Sequence, residues 1–240
     1  SRRLVESPLD IAQAVTSRLL GPEPAARSWV FTSATLGDDE GLSWFTGPCG
    51  LGSARILRVG SPFDYPSQAA LYLPRELHRP SDPGHSLQVA ALVADWAGRL
   101  GGRTMVLTTT LKALRQIAQA LQDRLEGELD ILVQGQLTRR ELIERFRRGA
   151  QSDRGCVLVG SASFWEGIDV AGDALQLVVI DKLPFPPPND PLAQARANSL
   201  QAQGRSAFND YFLPEAAVAL KQGAGRLIRR ETDRGALVVC

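Results

Sequence analysis

The feature that most constrains this chain is an alternation of short apolar runs with segments of helical period. Thr104–Thr108, Leu129–Val133, Cys156–Val159, Leu175–Ile180 and Ala236–Val239 read as strands. Leu87–Leu100, Leu111–Leu125, Thr138–Arg148, Pro191–Gln203 and Glu215–Arg230 read as the intervening helices. Thr138 and Glu141 form a capping box at the head of one of them. Cys156–Val159 and Leu175–Ile180 are apolar in the manner of strands buried on both faces of a parallel sheet. The expected fold class is therefore α/β, a mostly parallel sheet flanked by helices. In such sheets ligands lie beyond the carboxyl ends of the strands, so residues that follow strands carry the functional argument.

The first part of the chain is less regular. Ser7-Pro8-Leu9-Asp10 reads as a capping box with proline at the first helical position, opening a helix with Ile11, Val15 and Leu19 on one face and closed by Gly21-Pro22. Trp29-Val30-Phe31 reads as a strand running into Thr32-Ser33-Ala34-Thr35-Leu36. Residues 37–84 are rich in glycine and proline, with weak strands near Arg55–Val59 and Ala70–Leu73. The chain stops within the strand-like Gly235–Cys240, so it is expected to be a piece of something longer.

Composition narrows the classes. With 44% apolar and 22% charged residues in 240, the chain is ordinary globular protein rather than a disordered one. A net charge of +1 excludes a globally basic nucleic-acid binder but not a local basic stripe. No run reaches the ~18 apolar residues of a membrane span, and Ser1–Glu6 lacks the apolar core of a secretory signal. Cys49, Cys156 and Cys240 are odd in number and far apart, and His78 and His85 are the only histidines, so neither a disulfide framework nor a zinc knuckle is expected. The expectation is a soluble, metal-free chain of a reducing compartment. Of 27 basic residues only Lys112, Lys182 and Lys221 are lysine. The other 24 are either a compositional habit or a bias toward bidentate phosphate contacts.

Two motif families are excluded. No glycine precedes any lysine, so Gly-x-x-x-x-Gly-Lys-Ser/Thr does not occur and the chain has no phosphate-cradling loop of its own. Gly160-Ser161-Ala162-Ser163 misses the spacing of a nucleophile elbow. Two constellations carry chemistry instead. In Gln222-Gly223-Ala224-Gly225-Arg226-Leu227-Ile228-Arg229-Arg230, a continuous helix would put Gln222, Arg226 and Arg229 on one face and Leu227 and Ile228 on the other. Such a face suits the oxygens of a transferring phosphate; the plain alternative is a surface helix with solvated arginines. Phe164-Trp165-Glu166-Gly167-Ile168-Asp169 follows the Cys156–Val159 strand. Glu166 and Asp169 there can accept hydrogen bonds from a ribose or a phosphate-bound water; the plain alternative is a capped turn with both rings in the core.

In this order the two constellations resemble motifs V (Gly160–Gly172) and VI (Gln222–Arg229) of superfamily 2 DNA helicases. Ser163-Phe164-Trp165-Glu166-Gly167-Ile168-Asp169-Val170, followed by Asp181-Lys182-Leu183-Pro184-Phe185-Pro186, looks like the DinG/YoaA branch of the XPD helicase family. Thr32–Leu36 is similar to that family's motif III and Val106–Leu114 to its motif IV; Ser61-Pro62-Phe63-Asp64 and Gln134-Gly135 also fit. The nucleotide-binding loop, the Asp-Glu-x-His box and the iron–sulfur cysteines of the family's first motor domain do not occur here.

The resemblance implies a RecA-like second motor domain over residues 61–240, with residues 1–60 the end of the first domain and the crossover. It implies an ATP-dependent, 5′-to-3′, repair-type DNA helicase, bacterial, cytoplasmic and nucleoid-associated. Its ATP and Mg2+ would be bound mainly by the first motor domain of the same protein, where the iron–sulfur cluster would also belong. Arg229 is implied as the arginine finger, with Arg226 and Gln222 beside it as catalytic residues. Glu166, Gly167 and Asp169 would line the nucleotide. Thr108, Thr109, Thr110, Gln134 and Ser161 would hold single-stranded DNA, and Ser33, Ala34 and Thr35 would couple the two sites. The basic helix with Arg139, Arg140, Arg145, Arg147 and Arg148 is either a second DNA contact or a solvated face. The competing function is a RecA-like module without motor activity that binds DNA or docks a protein; a translocase that does not unwind is the third.

Overall fold

A computed structural model describes residues 8, 9, 11–19, 28–150, 152, 154–161, 164, 170 and 172–240. The chain divides into two compact units, Ser1–Gly60 with Phe185–Val218, and Ser61–Pro184 with Ala219–Cys240.

The second unit is built on a six-stranded sheet. Its strands are β1 (Ala69–Tyr72), β2 (Thr104–Thr108), β3 (Asp130–Val133), β4 (Cys156–Ser161), β5 (Leu177–Ile180) and β6 (Gly235–Val239). They lie in the order β1-β6-β5-β2-β4-β3, and every pairing is parallel. Strand residues alternate between two apolar cores, as the two-residue period of a strand requires. Val106, Val157, Val159 and Val179 pack with Val89, Val93, Ile117 and Leu121 from helices α4 (His85–Arg99) and α5 (Leu111–Arg124). Met105, Leu107, Leu158, Val178 and Ile180 pack on the other face with Leu142 and Phe146 of α6 (Arg139–Gly149). Helices thus cover both faces, which is why β2, β4 and β5 are buried along their whole length. The expected capping box is present: the Glu141 N–H donates to Thr138 Oγ1, and Thr138 N–H donates to Glu141 Oε2.

Backbone contact fixes the start of β4. A Cβ at Gly155 would lie 1.8 Å from the carbonyl oxygen of Gly101, so only glycine allows the two loops at this end of the sheet to meet. Gly160, inside β4, leaves room for the ring of Phe164, which a Cβ would approach to 2.9 Å.

In the first unit the described elements are the helices α1 (Ala12–Arg18), α2 (Ser43–Thr46) and α7 (Pro191–Ala202), with a short π-helical turn at Phe208–Phe212. Asp190 caps α7, accepting the Ala193 N–H at 2.8 Å with proline at its first turn. Helix α8 (Leu213–Ala224) has its C-terminal half in the second unit.

Four local expectations are corrected. The first helix begins at Ala12 with Ile11 as its N-cap, so Pro8 is not its first residue; Ser7, Asp10, Gly21 and Pro22 lie outside the described residues. Trp29–Phe31 and Arg55–Val59 form no strand. β-propensity there has no neighbouring ladder among the described residues, and Val30, Leu57 and Val59 stand more than four-fifths exposed. The last helix stops at Ala224 instead of reaching Arg230. Gly223 and Gly225 weaken it, the N–H groups of Arg226 and Leu227 turn to i−3 carbonyls, and a side chain further on captures the next donors.

Candidate functional site

Three strands end side by side at the carboxyl edge of the sheet. Thr108 closes β2 and stands in register with Ser161, which closes β4. The Gln134 side chain, just past β3, bridges to this pair, its Oε1 accepting the Ser161 N–H at 2.7 Å and the Ser161 hydroxyl at 3.0 Å. Thr108, Gln134 and Ser161 are thus brought together. Their hydroxyls face inward, however: Thr108 is fully buried, and its Oγ1 donates to the carbonyls of Gly160 and Thr110 at 3.3 Å. The outward part of this edge is the turn that follows. Thr109 is half-buried, and Thr110 is exposed and caps α5 by accepting the Ala113 N–H at 3.1 Å.

A residue to which the sequence alone assigns no role organises this turn. Asp181, the first residue after β5, is buried, and its Oδ1 accepts the Thr109 N–H at 2.9 Å. Burial pushes its carboxyl up to about 6, against the partial opposing pull of the Thr109 N–H, Lys182, the Thr109 hydroxyl and His85. The backbone oxygen of Asp181 faces Nε2 of the buried His85 at 2.7 Å, while Nδ1 of the same ring faces the His78 carbonyl at 2.8 Å. The signal for Asp181 was available: a carboxylate at the end of an apolar parallel strand stands where ligand edges form.

The arginine segment lies beyond α8. Gln222 is half-buried in the helix, and its carbonyl accepts Nε–H of the half-buried Arg226 at 3.1 Å. Leu227 and Ile228 are buried in the core beneath α6, as their apolar character requires. Arg229 and Arg230 follow on a non-helical loop with both side chains exposed. The three candidate residues therefore do not share one helical face: two belong to the helix and its closing turn, and Arg229 is presented by the loop. Asp233 shapes that loop, its buried Oδ2 accepting the N–H groups of Arg229 at 2.8 Å and Arg230 at 2.9 Å.

Glu166, Gly167 and Asp169 lie outside the described residues. Phe164 next to them is buried, with the Arg139 guanidinium 5.4 Å above its ring and donating to its carbonyl at 3.3 Å. Arg140 pairs with Glu144 at 2.8 Å, and Arg148 Nε–H donates to the Glu144 carbonyl at 3.4 Å. Ser33, Ala34 and Thr35 belong to the first unit, where the Ser33 hydroxyl accepts the Thr35 N–H at 3.2 Å in a tight local turn. Among the described residues no group of three or more His, Cys, Asp or Glu gathers as a metal site, and no helix is long and apolar enough to cross a membrane.

Residues 95–240 match the family model of the helicase C-terminal domain. The chain belongs to that family. Over 237 residues this helicase C-terminal domain chain is 40% identical to the ATP-dependent DNA helicase YoaA of Escherichia coli, covering 99% of itself and 36% of that protein. It is 35% identical over 237 residues to the ATP-dependent helicase DinG of Mycobacterium tuberculosis, covering 97% of itself and 34% of that protein. It thus spans about a third of the length of these relatives. A solved XPD helicase superposes on 71% of the chain with a TM-score of 0.51 at 16% identity, covering 31% of that chain. The helicase C-terminal domain accordingly has the RecA-like α/β fold.

Proposed function

We propose that this chain is the second motor domain of an ATP-dependent DNA helicase of the DinG/YoaA kind, acting on single-stranded DNA in the bacterial cytoplasm, on the nucleoid. Residues 61–240 are the second motor domain, and residues 1–60 are the end of the first with the crossover. The observation that carries the reading is the loop after α8. It presents the exposed Arg229 three residues after Arg226, which is hydrogen-bonded to Gln222, within the segment that matches the helicase family. A guanidinium on a fixed backbone can place positive charge where a phosphoryl-transfer transition state spreads its negative charge.

In this reading Arg229 is the arginine finger, Arg226 is a second phosphate contact, and Gln222 reports the nucleotide. Glu166, Gly167 and Asp169 line the ribose and phosphate side. ATP with its Mg2+ is bound mainly by the first motor domain of the full protein, and so is any iron–sulfur cluster. The turn at Thr108–Thr110, with Gln134 and Ser161, holds the DNA backbone through N–H groups and hydroxyls, which is contact without sequence readout. Ser33, Ala34 and Thr35 couple ATP to DNA.

The test is the full-length protein with a tailed duplex. The reading expects ATP hydrolysis stimulated by single strands and unwinding with 5′-to-3′ polarity. DNA binding without hydrolysis would return the chain to the alternative of a RecA-like binding module, and hydrolysis without strand separation would make it a translocase.

A further inference from the structure

The loop that carries Arg229 is gripped from a distant part of the chain. Gln68 ends the short helix α3 (Tyr65–Gln68) and is buried at 5% exposure. Its Nε2 donates to three carbonyl oxygens, those of Arg230, Glu231 and Asp233, each at 3.0 Å. From inside the loop Asp233, equally buried, takes the N–H groups of Arg229 and Arg230 on Oδ2 and leaves Oδ1 without a hydrogen-bond partner. The Arg234 guanidinium donates back to the Ser67 carbonyl. Directly beyond these contacts Ala69 and Gly235 start the β1–β6 ladder. One buried amide thus holds the carbonyls of Arg230, Glu231 and Asp233, and one buried carboxylate holds the N–H groups of Arg229 and Arg230.

The chemistry of the clamp requires glutamine. Three loop carbonyls, one buried and two partly so, share the two N–H donors of an amide, which a carboxylate or an aliphatic chain does not supply. Leaving such groups unpaired costs more than the bonds themselves contribute, so the loop would move to re-pair them. Asparagine keeps the amide but falls one methylene short.

We infer that Gln68 is a positioning residue for Arg229: its amide fixes the backbone of residues 230–233 and so the direction in which the Arg229 guanidinium leaves the loop. This rests on the proposed role of Arg229 and adds a residue far from it in sequence. A guanidinium displaced by about 1 Å in a phosphoryl-transfer site loses most of its effect.

The experiment measures single-strand-stimulated ATPase of the full-length protein in a double-mutant cycle of Gln68→Leu and Arg229→Ala, with Gln68→Asn alongside. The expected result is a fall in kcat of about 10- to 100-fold for Gln68→Leu, a smaller fall for Gln68→Asn, and a KM for ATP within about twofold. Gln68→Leu should add almost nothing on top of Arg229→Ala, because its effect passes through that side chain. A purely structural glutamine would lower the folded fraction and multiply with Arg229→Ala; that outcome, or an unchanged kcat in Gln68→Leu, overturns the inference. If Gln68→Leu does not fold, Gln68→Asn carries the same cycle. Should Arg229→Ala itself spare kcat, the arginine-finger reading falls and takes this inference with it. A loss in Arg229→Ala with none in the Gln68 variants overturns the positioning role alone.

Discussion

The carboxylate of Asp181 holds the N–H of Thr109 at 2.9 Å, tying the end of β5 to the turn between β2 and α5. An acid is buried here to fix a turn that the proposed function places against DNA. The groups that face it are Lys182, His85 and Thr109; burial raises the Cys240 thiol, and the charge of Asp181 adds to that.

Because burial lifts the Asp181 carboxyl from 3.8 to about 6, the folded chain holds this proton more tightly than the unfolded chain does. Its contribution to stability is therefore largest at low pH and is lost as pH rises through that range. Asp181→Asn keeps an acceptor for Thr109 without the charge. It should raise the free energy of unfolding at pH 8 by on the order of 1–3 kcal/mol, and make no difference near pH 4. A variant less stable than the parent at pH 8 would show that the ionised form is favoured where it sits.

Gly155→Ala should be among the most damaging single changes in the second unit. Its Cβ would sit 1.8 Å from the Gly101 carbonyl, backbone against backbone, with no side chain able to yield. A loss of about 3 kcal/mol or more in urea unfolding is expected. Gly52→Ala has open space around its new methyl group and should shift stability by less than about 1 kcal/mol.

Binding of the full-length protein to single strands should be nearly sequence-blind and steeply salt-dependent. Arg145, Arg147 and Arg148 are exposed on α6 and are the arginines to substitute, because Arg140 is held in a salt bridge to Glu144 and Arg139 lies over Phe164. If each meets a phosphate, the triple alanine variant should flatten the slope of log affinity against log salt by roughly 2. An unchanged slope makes α6 a solvated face.

The sheet and its helices were legible because both cores depend on local period. Strand alternation and helical spacing identified β2 to β6 and α4 to α7 to within a few residues. What could not be read locally depended on partners distant in sequence or on side chains competing for the backbone. Trp29–Phe31 has strand composition but no ladder among the described residues. The helix ending at Ala224 looked longer because nothing in its own sequence shows that Asp233 takes the donors of Arg229 and Arg230. Gln68 was invisible for the same reason: its carbonyl partners lie more than 160 residues away. Of the candidate site, Thr108 and Ser161 close β2 and β4, and Gln134 follows β3. The inward use of the Thr108 hydroxyl and the role of Asp181 follow only from packing.

The isolated 240-residue chain, lacking Gly-x-x-x-x-Gly-Lys, should bind ATP weakly and show no DNA-stimulated hydrolysis. Equilibrium binding and phosphate release on the purified chain check this. Robust turnover that survives Arg229→Ala would contradict the two-domain account.

The most direct measurement is the steady-state kinetics of Arg229→Ala in the full-length protein at saturating single-stranded DNA. In the proposed function ground-state binding of ATP rests mainly on the first motor domain, whereas the guanidinium matters most as the γ-phosphoryl group separates from its leaving oxygen. The account predicts a fall in kcat of about 10³ or more with KM for ATP changed only a few-fold. Arg229→Lys should rescue poorly because an ammonium lacks the planar fork, and Arg230→Ala, on the same loop, should be tolerated. A raised KM with kcat spared, or a loss in Arg230→Ala as large as in Arg229→Ala, would contradict the claim that this loop aims Arg229 at the transferring phosphate.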